Sequence, residues 1–136
     1  MSQINFSAMI TLKATISPSE DPAKVVGALE KVTGQTIDVV TSGPRVAKLV
    51  TDQANTLIRI RDQLRDRHVR SAARRRLLFN RENNSTSLML NRQAATTGVL
   101  AICGSPEESS LGPIYLTIES EKLDAVIDWL TSYSDG

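Results

Sequence analysis

Apolar residues recur at every second position from Ile4 to Ile16, where Ile4, Phe6, Ala8, Ile10, Leu12, Ala14 and Ile16 alternate with Asn5, Ser7, Thr11, Lys13 and Thr15. A period of two sends alternate side chains to opposite faces of an extended chain, so the pattern predicts a half-buried strand with Met9 as the one apolar residue on its outer face. The period then changes. Val25, Val26, Leu29 and Val32 follow i, i+1, i+4, i+7 and predict a helix. Asp21 can cap its free N–H groups, Pro22 is preorganised for its first turn, and Gly34 is placed to end it in a left-handed conformation. The β-branched run Thr36 to Thr41 and the segment Val46 to Thr51 flank Ser42-Gly43-Pro44, the composition of a hairpin.

Asp52 or Asn55 is expected to cap the next helix, which carries Leu57, Ile60 and Leu64 on one face. At ~100° per residue, Val69, Ala72 and Ala73 centre roughly 150° from that face, so a bend or two helices meeting near Asp66 to His68 are predicted. Asn80 to Ser87 contains no apolar residue and reads as an exposed loop. Leu88 and Leu90 resume alternation, Val99 to Cys103 reads as a short apolar strand, and Ile114, Leu116 and Ile118 mark another after the turn-rich Gly104 to Pro113. Ser120 is expected to cap a final helix with Leu123, Val126, Ile127 and Leu130 buried and Trp129 on its flank. Hairpin-length connections between successive strands favour α+β architecture: a two-layer sandwich of an antiparallel or mixed sheet with helices packed on one face, in a single domain over residues 1–136.

Charge changes this picture most between Leu57 and Arg81. Nine of the sixteen basic residues lie there (Arg59, Arg61, Arg65, Arg67, Arg70, Arg74, Arg75, Arg76 and Arg81) with only Asp62 and Asp66 to answer them, a local excess of seven positive charges. The other seven bases and thirteen acids leave the rest of the chain six negative, so a formal net charge of +1 conceals a strong asymmetry. Clustered guanidinium groups attract polyanions, which bears on partners and not on fold. Aromatic residues make up 4% of the chain, so recognition by a platform of stacked bases is disfavoured and charge and shape are left to do the work.

Other chemistries find little support. The lone Cys103 excludes an internal disulfide, no C-x-x-C pair suggests zinc, and His68 is the single imidazole, a cysteine count that fits a reducing cytoplasm. No run approaches the ~18 consecutive apolar residues of a membrane span, and the N-terminus lacks a charged region followed by an apolar run and a small-residue cleavage site. Gly104-Ser105-Pro106 and Leu111-Gly112-Pro113 lack the pattern of a phosphate loop. General acid–base catalysis needs titratable groups brought within hydrogen-bond reach, and the acids here are scattered. No enzyme activity, cofactor, metal site or membrane association is therefore expected. Metal-dependent nuclease chemistry is the competing enzymatic reading.

Four segments carry a resemblance. Ser19-Glu20-Asp21-Pro22 with Lys24-Val25-Val26, the run Leu90-Asn91-Arg92-Gln93-Ala94-Ala95, the run Ser110-Leu111-Gly112-Pro113-Ile114, and Asp128-Trp129-Leu130 resemble a family of uncharacterised archaeal proteins. The chain departs from that pattern at Thr96-Thr97 and at Ser109-Ser110. The resemblance implies a fold similar to the ribosomal protein that binds 5S RNA, and a distant relation to predicted exosome-associated subunits.

Two readings of the basic segment follow. In the first, Arg67, Arg70 and Arg74 stand at i, i+3, i+7 on one helix ridge, and together with Arg75, Arg81 and Arg92 they contact RNA phosphates. Lys13 and Lys24 lie outside that ridge and are expected to contribute little. In the second, the ridge is a solvated or partner-facing surface, paired locally or against an acidic surface of another subunit. Leu77, Leu78 and Phe79 cannot all point into one core, which suggests a homodimer contact beside the arginines. Asn91 and Gln93 read as a turn bonding its own backbone.

Overall fold

The central strand is the first. In the structure, a computed structural model that describes residues 7–34, 40–41, 46–65, 67–109 and 111–131 (backbone alone at 40, 41 and 67), β1 (Met9–Thr15) buries Ile10, Leu12 and Ala14 and turns Met9, Lys13 and Thr15 outward. It is flanked by β3 (Val46–Thr51) and β5 (Ile114–Glu119), both antiparallel to it. The two-residue β2 (Val40–Thr41) pairs with β3, and β4 (Ser85–Leu90) pairs with β5, giving the order β2-β3-β1-β5-β4 with every pairing antiparallel. The rest of the expected first strand and of the Thr36 to Thr41 run lies outside the described residues.

Among the described residues the α-helices are α1 (Pro22–Thr33), α2 (Ala54–Gln63), α3 (Arg67–Phe79), the one-turn α4 (Arg92–Thr96) and α5 (Leu123–Thr131). Leu29 from α1, Ile60 from α2, Leu77 from α3 and Ile127 from α5 meet Ile10, Leu12, Leu49, Leu88, Leu116 and Ile118 of the sheet in one core. Each such side chain contributes about 1.5–3 kcal/mol on leaving water, enough in sum to hold the two layers together. All the helices that supply this core lie on one face of the sheet. The other face keeps its polar alternates.

The local signals act as their chemistry requires. Asp21 Oδ1 accepts from Ala23 N at 3.0 Å and Pro22 opens α1, while Gly34 closes it at φ 72°. There a Cβ would meet Arg59 Cδ at 2.9 Å, which an exposed arginine can vacate, so it is the positive φ that favours glycine. α2 stops at Gln63 and α3 starts at Arg67, the break expected between Asp66 and His68. Two caps differ from expectation. Gln53, not Asp52 or Asn55, precedes α2 and makes no side-chain cap; Ser120 binds Lys122 N and Ser7 O just ahead of α5.

Val99 to Cys103 is not a strand: it meets β4 in one bridge, Leu90 to Ile102, with Asn91 N and Cys103 N donating to Ala101 O and Met89 O. Its work is to cover the outer edge of β4. Asn80 Nδ2 also occupies Ser87 O there, and Glu82 pairs with Ser85, so little of that edge is open to another strand.

Candidate nucleic-acid interface

Ala73 and Leu77, one turn apart and both 0% exposed, fix which way α3 faces. At about 100° per residue this sends Arg70, Arg74 and Arg67 to one flank and Ala72, Arg76, Phe79 and Arg75 to the other. The first flank faces α5. Arg74 Nη1 lies 2.9 Å from Asp128 Oδ1 and 3.0 Å from Thr131 Oγ1, and Arg81 beyond the helix pairs with Asp124. Arg70 Nη1 donates to Arg65 O at 3.1 Å. The expected ridge therefore runs along a neighbouring helix that supplies two carboxylates. For Arg74 and Arg81 the neutralising acids, Asp128 and Asp124, are distant in the chain.

Arginines of α2 are also spent internally. Arg59 Nε donates to Lys31 O at 2.8 Å near the end of α1, and Arg61 Nε to Trp129 O at 2.9 Å near the end of α5. Cations suit those positions because the last carbonyls of a helix carry partial negative charge and lack intrahelical donors. Arg61 also stacks on the Trp129 ring at 4.9 Å.

Arg92 requires a correction. Placed among the phosphate contacts by sequence, it is 3% exposed and lies under the surface. Its Nη1 bonds Glu20 Oε1 at 2.6 Å, Glu20 Oε2 at 2.8 Å and Thr15 O at 2.6 Å, and Nε bonds Gly112 O at 3.1 Å. This network offsets the desolvation of both charges, leaving Nη2 as the buried guanidinium nitrogen without a hydrogen bond among the described residues, and spends the guanidinium on the protein's own oxygens rather than on the surface. Three of the segments that carried the resemblance, around Glu20, Arg92 and Gly112, thus converge on one buried ion pair. Asn91 caps α4 by accepting from Ala94 N at 2.9 Å, the backbone role read from the sequence.

What remains open is the second flank of α3. Arg75 and Arg76 are exposed and form no ion pair among the described residues. With Ala72, Phe79, Ile102 and Gly104 they line a groove of about 380 Å³. Phe79 is 83% and Leu78 47% exposed, while Leu77 is buried, so the apolar run divides as its three directions demand. Gly104 brings the loop close: a Cβ there would lie 2.8 Å from Glu108 Oε2 and 3.0 Å from Arg76 Nη2. Arg76 was missed in the sequence, although its offset of about 80° from the Ala73–Leu77 line marks it as a flank position. Of Arg67 only the backbone is placed.

Beneath the loop, burial and secondarily the charge of Glu108 push the Cys103 thiol up. Among the described residues no three His, Cys, Asp or Glu side chains converge on a place for a metal ion, and no helix is long and apolar enough to cross a membrane.

No family model matches the chain. A UPF0201 protein of Sulfurisphaera tokodaii is 34% identical over 126 residues, covering 90% of this chain and 86% of the relative. One from Metallosphaera sedula is 34% identical over 122 residues, covering 89% and 85%. Among solved structures, an uncharacterised UPF0201 protein matches with a TM-score of 0.78 at 23% identity over 94% of this chain and 97% of its own. The UPF0201 protein of Methanococcus jannaschii matches with 0.72 at 22% identity over 94% and 96%. The structural likeness supports the shared fold, and the sequence identity over nine-tenths of the chain establishes that it belongs to the archaeal UPF0201 family.

Proposed function

We propose that this protein binds RNA without acting on it chemically, through phosphate contacts from the outward flank of α3. Arg75 and Arg76 are the central contacts, and Arg67 and Arg70, on the flank toward α5, are secondary ones. The observation that carries this reading is that Arg75 and Arg76 are exposed and without an ion pair among the described residues, although Arg74 of α3 and Arg81 just beyond it are both paired with carboxylates of α5. Arg74 and Arg81 play a lesser part, because a phosphate reaching them displaces Asp128 or Asp124. The resemblance to a ribosomal RNA-binding fold points the same way.

Fluorescence anisotropy with labelled single-stranded RNA at low salt tests the proposal. Arg75→Ala with Arg76→Ala should weaken binding to all sequences alike, since phosphates carry no sequence information. Arg74→Ala with Arg81→Ala should weaken it less. Absence of RNA binding by the wild-type protein defeats the reading. A second reading, a homo-oligomer joined at this flank, is favoured by the exposure of Phe79 and Leu78 beside the two arginines. Sedimentation of the wild type and of Phe79→Asp decides it, since only an oligomer held by this flank dissociates on that change.

A further inference from the structure

The face of the sheet turned away from the helices holds an arrangement that no single strand reveals. Lys13 of β1 stands directly opposite Lys48 of β3. On its other side Lys13 faces Tyr115 of β5, which in turn faces Met89 of β4, so Lys48, Lys13, Tyr115 and Met89 form one row across four strands. Both lysines are exposed, and neither has an ion pair or hydrogen bond among the described residues. Tyr115 is 43% exposed, as are Met9 and Val50 on the same face. Opposed positions on one face of an antiparallel pair bring Cβ atoms within about 4.5–5.5 Å, and like charges there destabilise the sheet. Thr11 and Thr117 fill the next row, and the acid on this face, Glu119, lies one row further, beside Met9 and Ser85.

We propose that this open sheet face is a docking surface for single-stranded RNA, with successive phosphates on Lys13 and Lys48 and a base stacked on Tyr115. The repulsion between two uncompensated ammonium groups is relieved by an anion placed between them. An aromatic ring beside that anion site offers the flat apolar contact that an unpaired base requires and that duplex RNA, whose bases are already stacked, does not use. A second copy of this chain fits the face poorly, because it would bury both lysines with Glu119 as the one carboxylate on the face among the described residues. The surface is separate from the α3 arginines, on the opposite side of the sheet, and Lys13 gains a role that its place in one alternating strand does not suggest.

The test uses the full chain, a fluorescein-labelled oligouridylate of about ten nucleotides, and a duplex of the same length. Lys13→Gln with Lys48→Gln should reduce the salt slope of oligouridylate binding by about 1.4, two phosphates at about 0.7 each. The same variant should melt no lower than wild type, and up to about 3 °C higher, because it removes a like-charge pair. Tyr115→Ala should weaken binding about five- to 140-fold while Tyr115→Phe preserves it. With ¹³C-methyl methionine, the Met89 signal should shift on adding oligouridylate and stay put with the duplex. The proposal is overturned if the lysine variant binds as wild type, or if Met89 is unmoved at saturation. It is overturned equally if Met9 and Met89 shift with protein concentration alone, which makes the face a contact between copies. Loss of binding in the Arg75 and Arg76 variant with none in the lysine variant leaves the α3 reading standing and removes this one; the reverse pattern does the opposite.

Discussion

Replacing Arg92 with alanine should remove about 3–5 kcal/mol of stability, the range for deleting one partner of a buried ion pair. The arginine side chain is 4% and the Glu20 side chain 11% exposed, so little solvent can take over from the lost partner. The substitution leaves Glu20 with the Ser17 N–H at 2.8 Å as its remaining described donor, removes the arginine's bond to Thr15 O, and leaves Gly112 O with Ser109 Oγ alone at 3.0 Å. An unfolding entropy of about 2.1 cal/mol/K per residue, over 136 residues, amounts to about 0.29 kcal/mol/K. The melting temperature should therefore fall by about 10–17 °C in a calorimetric scan. Arg92→Met combined with Glu20→Leu should recover most of that loss, because both desolvated charges leave together. A fall of less than about 3 °C in Arg92→Ala would refute the assignment of Arg92 to a buried structural pair. RNA affinity supplies a second check: the folded double variant should bind as wild type, since neither residue touches ligand.

Three further outcomes follow from the same geometry. Arg74→Ala and Arg81→Ala should each cost about 0.2–1 kcal/mol in urea unfolding, the worth of pairs as exposed as these, and the loss should shrink in high salt. Asn91→Ala should cost about 1 kcal/mol through loss of the α4 cap, with Asn91→Asp nearly neutral. Burial raises the Cys103 thiol, so the native state retains a proton that the unfolded chain releases. The stability this provides is complete below the unfolded thiol's range and is lost as pH rises through the folded value, a slope that Cys103→Ser should abolish in urea melts taken across alkaline pH.

Local signals were legible wherever one neighbourhood decides the outcome. The alternation of Ile10, Leu12 and Ala14, the Asp21-Pro22 start, the left-handed Gly34 and the break before Arg67 all depend on residues a few positions apart, and each is realised. Val99 to Cys103 was misread because a short apolar run has no period to separate a strand from a buried loop. A helix as short as α4 likewise offers too few positions for a periodic signal. The site was less readable than the fold for a related reason. The helical wheel orders the arginines of α3, but it cannot show that Asp124 and Asp128 come to lie against one flank. Nor can it show that Glu20 and Gly112 enclose Arg92, or that Lys48 folds opposite Lys13. In each case the deciding partner is distant in the chain.

The central claim is that the unpaired flank of α3 engages RNA phosphates, and the salt dependence of binding tests it most directly. Anisotropy titrations of wild type and of Arg75→Ala with Arg76→Ala against single-stranded RNA, across a series of monovalent salt concentrations, give the slope of log affinity against log salt. The account predicts a linear fall for wild type and a slope about 1.4 shallower in the variant, two phosphate contacts at about 0.7 each. Identical slopes for the two proteins, or no measurable wild-type binding at the lowest salt, would contradict it.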